Sequence, residues 1–135
     1  MKEIQILQSV KDKILAHAQR EIPIEACGYL AGKDGIITRI FELTNIDRSE
    51  EHFSFDPKEQ FAVMRTTRNE GLELIANYHS HPETPARPSE EDIRLAYDAD
   101  ILYFIASLAD GGQDLKAFSI RLGEVSPITI LVVGD

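Results

Sequence analysis

Along the chain the apolar positions change period several times, and each change marks an element. Ile4-Gln5-Ile6-Leu7 predicts a short first strand. Val10, Ile14 and Ala18 then recur at helical spacing with Lys and Asp between them, which predicts an amphipathic helix over about 9–20, ended by Pro23. The apolar run Ala26 to Ala31, the turn Gly32-Lys33-Asp34-Gly35 and the run Ile36 to Leu43 read as a hairpin. A polar loop over 44–52 follows. Asp56-Pro57-Lys58-Glu59 combines a capping carboxylate, a proline at the first helical position and a glutamate suited to a capping box, so a helix runs to about Asn69 before Gly71. Leu72 to His81 reads as a strand in which Leu74, Ala76 and Tyr78 alternate against Glu73, Ile75 and Asn77. A loop with Pro82, Pro85 and Pro88 leads to Ser89, which opens a short helix to about Asp98. Strands at Ile101–Ala109, Leu115–Leu122 and about Val125–Val133 close the chain, with Asp110 to Asp114 turning the first pair. Helices interleaved with hairpins predict a mixed sheet packed by helices, an α/β or α+β fold and not a purely parallel one.

Length makes this a single domain over 1–135, large enough for a core without a disulfide or metal staple. With 43% hydrophobic and 27% charged residues, composition excludes a disordered tail and a collagen-like fibre. One cysteine, Cys27, excludes an internal disulfide and any site made of several thiolates, a structural zinc finger included. The net charge of −9 repels phosphate, which argues against nucleic acid as a partner and against anionic membranes. It suits a basic protein partner, or solubility alone. The start shows no apolar run of the signal-peptide kind, and Ile101 to Ala109 is too short to span a bilayer, so the expected location is cytoplasmic.

Chemistry concentrates in Tyr78-His79-Ser80-His81-Pro82 and Ser89-Glu90-Glu91-Asp92. Residues i and i+2 of a strand share a face, so His79 and His81 present two imidazoles side by side. Ser89 is a natural N-cap, which puts Asp92 in the first helical turn, where the helix dipole favours an ionised carboxylate. Two imidazoles and one carboxylate leave a fourth tetrahedral position open, the pattern of a catalytic zinc site. Taken singly, His-x-His on a strand and Ser-x-x-Asp at a helix start carry no necessary chemistry. Their order and spacing together carry the argument.

His79-Ser80-His81-Pro82, seven residues to Ser89 and two more to Asp92, resembles the signature of the JAMM metalloproteases, the MPN-domain family. That signature includes a glutamate far upstream. Pro23-Ile24-Glu25-Ala26-Cys27-Gly28-Tyr29-Leu30-Ala31-Gly32 is similar to the family's stretch around it, which points to Glu25, and Phe55-Asp56-Pro57 is also familial. The resemblance covers about 4–131 and lacks no element of the motif. It implies a sheet between helices related to the cytidine deaminase fold, and one zinc held by His79, His81, Asp92 and a water. It further implies hydrolysis of a peptide or isopeptide bond after the tail of a ubiquitin-like protein. Short loops at 44–52 and 93–110 match the compact prokaryotic members, which implies a sulfur-carrier protein ending in Gly-Gly as substrate. In that chemistry Glu25 is the general base and Ser89 a hydroxyl donor to the oxyanion. An exposed strand edge could hold the extended tail.

Other chemistry-bearing residues read more plainly. Cys27 is expected as a small buried hydrophobe, Ser80 has no base to make it a nucleophile, His17 and His52 are expected at the surface or boundary, and Tyr78 as a packing residue beside the site. Two other readings stay open: a non-hydrolytic MPN-type scaffold binding ubiquitin-like tails, and a zinc deaminase, which would need a cysteine pair that is absent. Residue types alone also allow iron or manganese, and leave open whether the chain forms a homodimer.

Overall fold

The computed structural model describes residues 2–135. Strand β1 (Glu3–Leu7) runs directly into helix α1 (Gln8–Glu21), followed by the hairpin β2 (Cys27–Lys33) and β3 (Ile36–Leu43). Helix α2 (Pro57–Asn69), β4 (Glu73–His81), the short helix α3 (Glu90–Arg94) and strands β5 (Leu102–Ser107), β6 (Asp114–Arg121) and β7 (Glu124–Val133) complete the order. The hairpin turns at Asp34 and Gly35, both at positive φ, the conformation that a two-residue reversal between twisted strands requires.

The strands bond in the order β1-β3-β2-β4-β5-β6-β7, and β7 returns to β1, so the sheet closes into a barrel. Pairings of β1 with β3, β1 with β7 and β4 with β5 are parallel and the other four antiparallel, which is the mixed sheet expected. Closure comes from β7 changing partner midway: residues 124–128 pair with β6 and residues 129–133 with β1. This restricts the expected free strand edge. Each described strand has a neighbour on both sides for part of its length, but β3 meets β1 only at Ile36 and Ile37, leaving residues 38–43 open there.

Helix α1 lies against β1, β3, β5 and β7. Its Val10, Ile14 and Ala18 join Ile4, Ile6, Leu30, Ile37, Tyr78 and Phe104 in the main core. Each valine, leucine, isoleucine or phenylalanine of this set stabilises the fold by about 1.5–3 kcal/mol on burial. The packing corrects one expectation. His17 is 3% exposed rather than superficial, because it follows Ile14 by one helical step on the face turned to the sheet. Its Nδ1 pairs with the Tyr78 hydroxyl at 2.7 Å, and burial lowers its pKa. Tyr78 therefore packs behind the site, on the face of β4 opposite His79. Gly28 is required here, since a Cβ would stand 2.2 Å from Phe41 O and 2.4 Å from the Tyr78 ring.

The other face of β4 and β5 is covered by two smaller clusters. Tyr103, Ile105, Phe118 and Ile120 pack with Ile93 of α3, and Cys27, Tyr29, Leu43 and Val63 lie with α2. Helix α3 ends at Arg94, four residues before the expected Asp98. The Tyr103 hydroxyl donates to Asp98 O at 2.6 Å and accepts from Asp98 N–H at 3.2 Å, which ties that segment to β5 instead of to a helix.

Candidate metal and catalytic site

Strand β4 places Asn77, His79 and His81 on one face by its two-residue period, and Pro82 and the proline-bearing loop carry the chain on to α3. At the start of α3, Ser89 and Asp92 form a full capping box. Asp92 N–H donates to Ser89 Oγ at 3.0 Å, and Ser89 N–H donates back to Asp92 Oδ2 at 2.9 Å. The box fixes the Asp92 carboxylate so that Oδ2 lies 3.1 Å from Nε2 of both His79 and His81, themselves 3.1 Å apart. One ligand atom from each of the three residues lies within 4.8 Å of the others.

Each imidazole is held in place. His81 Nδ1 donates to Pro85 O at 2.9 Å, and because a carbonyl can only accept, Nδ1 carries the proton and Nε2 faces the cluster. The His79 ring stacks on Phe53, centroids 4.8 Å apart. Its Nδ1 is buried without a hydrogen-bond partner. Burial pushes the Asp92 carboxyl up, but the adjoining His79 and His81, in their protonated forms, and the Ser89 amide outweigh it and hold the group well below the usual carboxylate range in the metal-free site. For His81, burial pulls down while Asp92 and the Pro85 carbonyl push up, and the net shift is upward. Two buried imidazoles and a carboxylate converging through unshared pairs are a donor set that fits a divalent transition metal.

Glu25 is 3% exposed and lines a cavity of about 520 Å³ together with His81 and Ser89. Its Oε1 has no hydrogen-bond partner, and desolvation raises the carboxyl to about 8. Backbone bonds place it: Glu25 N–H donates to Ser49 O, and Glu25 O accepts from Asn45 Nδ2. A second cavity, of about 460 Å³, opens on the other side of the cluster, lined by His79 and Asp92 with Tyr29, Phe53, Asn77 and Tyr103 among others.

All five residues singled out in the sequence thus meet at one place. Cys27 is fully buried, and desolvation pushes its thiol to about 12, which removes it as a nucleophile at neutral pH. Ser80 Oγ accepts from Ala26 N–H at 2.7 Å, tying β4 to the Glu25 segment, so its role is structural. His52 stays at the edge, paired with Asp47. Sequence reasoning missed Phe53, Pro85 and Asn77. Only the two-residue period of β4 could have flagged Asn77, by its place on the His79 face.

A family model described as prokaryotic homologs of the JAB domain matches residues 7–121. The chain belongs to the prokaryotic JAB-domain family. Among its relatives is the CysO-cysteine peptidase of Mycobacterium tuberculosis, 36% identical over 123 residues, which cover 89% of this chain and 84% of that one. A probable TtuB-protein conjugate cleaving protease of Thermus thermophilus is 32% identical over 117 residues, covering 86% and 75%. Among solved structures, the JAB-family chain superimposes on DSY2949 of Desulfitobacterium hafniense with a TM-score of 0.89 at 40% identity, covering 98% and 94% of the two chains. It shares its fold with AF2198 of Archaeoglobus fulgidus, a JAB1/MPN domain protein (TM-score 0.64, 22% identity, 95% and 99% covered). The relatives' peptidase and protease names agree with a hydrolytic JAB domain. Among the described residues, no helix is long and apolar enough to cross a membrane.

Proposed function

We propose that this JAB-domain protein is a zinc-dependent hydrolase that cleaves a peptide or isopeptide bond after the C-terminal Gly-Gly tail of a ubiquitin-like or sulfur-carrier protein. One zinc per chain would be held by His79, His81 and Asp92. The observation that carries this reading is the meeting of those three ligand atoms beside Glu25, a buried carboxyl with an unpartnered oxygen. The relatives named for cleaving CysO-cysteine and TtuB-protein conjugates support the substrate class.

When bound, the metal supplies Lewis acidity, which activates a water near neutral pH and polarises the scissile carbonyl. Glu25 takes the proton of the attacking water and delivers it to the leaving nitrogen. Burial raises the basicity of its carboxylate, which suits that exchange. Ser89 Oγ accepts from Asp92 N–H and so keeps its own proton free to donate to the carbonyl oxygen as charge gathers there. The box that ties Ser89 to Asp92 holds both groups in one rigid turn.

The test is a competition, at equal concentration, between a sulfur-carrier protein bearing a C-terminal extension after Gly-Gly and linked ubiquitin dimers, read by intact mass. Loss of the extension with the dimers spared supports the reading. Cutting of the dimers with the carrier intact moves the protein to deubiquitinating chemistry, and no cutting of either removes the hydrolase.

A further inference from the structure

On the side of the cluster away from Glu25, β4 carries one more polar side chain in line with the ligands. Asn77 precedes His79 by two residues and shares its face, with Tyr29 of β2 and Tyr103 of β5 directly opposite in register. All three line the 460 Å³ cavity that reaches His79 and Asp92. The tyrosine hydroxyls are already engaged. Tyr29 accepts from Gln60 Nε2 at 2.9 Å, and Tyr103 bonds the Asp98 backbone. Asn77 Oδ1 is buried and has no partner. A buried acceptor without a donor is unfavourable, and such groups are rare in folded proteins. Leucine would fill this place without that cost.

We propose that Asn77 is a substrate-positioning residue, whose Oδ1 accepts a backbone N–H of the glycine tail as the tail lies along the aromatic groove. The proposal rests on the hydrolase reading above and gives the substrate a direction. Glu25 must reach the leaving nitrogen, and it lines the opposite cavity, so the departing group leaves on that side. The acyl part of the substrate then occupies the groove with Asn77. Two residues of strand span about 7 Å, the same length as two residues of an extended tail. Asn77 therefore meets an amide about two residues before the scissile bond. Glycine suits that place physically: without a side chain, its backbone approaches a carboxamide set between Tyr29 and Tyr103.

The experiment uses the zinc-loaded enzyme and a carrier-tail substrate in which each of the three amides before the scissile bond is replaced, one at a time, by an ester. Wild-type enzyme is expected to lose about tenfold in kcat/KM at one of the three positions, the worth of about one neutral hydrogen bond. Asn77→Leu is expected to lose the same tenfold on the all-amide substrate, mainly in KM, and nothing further on that ester. Its melting temperature should hold or rise, where a structural asparagine would make it fall. Equal cutting of the amide and all three esters by wild-type enzyme overturns the proposal without reference to any variant, as does Asn77→Leu with unchanged KM. Failure of wild-type enzyme to cut the all-amide tail overturns the hydrolase reading, and this proposal with it.

Discussion

Replacing Glu25 with glutamine separates what this carboxyl does for chemistry from what its burial costs the fold. The side chain is 3% exposed and folding raises its pKa from 4.5 to about 8. A raised carboxyl favours the protonated form in the native state. Its burden is therefore absent below pH 4.5, grows as pH rises, and is complete above about 8. At about 1.4 kcal/mol per tenfold change in the ionisation constant, the burden reaches about 3–5 kcal/mol. Glutamine does not titrate, so the metal-free variant should gain on wild type by that amount between pH 5 and pH 9. For a domain of this size that is about 10–15 °C in melting temperature. Any constant cost of burying the amide cancels in the comparison between pH values. The assay is chemical denaturation of both chelated proteins across that range, with zinc content and turnover measured on the loaded forms. The variant should keep its zinc and lose cleavage, since glutamine has nearly the same size and cannot take a proton. A stability difference that stays flat with pH would refute the burial argument, and near wild-type turnover would refute the role as base.

His79→Ala and Asp92→Ala should each reduce bound zinc from about one per chain to near zero by elemental analysis, and retention in either would break the ligand assignment. Ser89→Ala should lower turnover by about 10²–10³ if its hydroxyl meets the oxyanion. Melting temperature and turnover measured together separate that loss from the removal of a helix cap, worth about 1 kcal/mol of stability with turnover nearly intact. Burial lowers the pKa of His17, so the stability of the metal-free protein should be intact above about pH 6.5 and fall as pH drops below it. In His17→Gln that acid-side loss should be smaller, and an unchanged slope by thermal melts would show that His17 is not held neutral.

Local patterns in the chain determined a good deal. Proline and capping carboxylates placed α2, where Asp56 does accept from Lys58 N–H at the first turn. The two-residue period of β4 put His79 and His81 on one face, and Ser-x-x-Asp brought Asp92 to the start of α3, because each of these contacts is made within thirteen residues along the chain. Glu25 lies much further away in sequence, and only its likeness to a known stretch pointed to it. Pairing of β2 with β4, Cys27 opposite His79, is what delivers it. Closure of the barrel, the burial of His17 against Tyr78 and the early end of α3 depend on partners 126, 61 and 5 residues apart. For β7 and α1 those partners are too far along the chain for any window of periodicity to register them. For α3, the short helix signal was overridden by a tyrosine hydroxyl from the next strand. Tertiary structure alone decided that Oδ1 of Asn77 is buried without a partner, since a strand's period names a face but not what covers it.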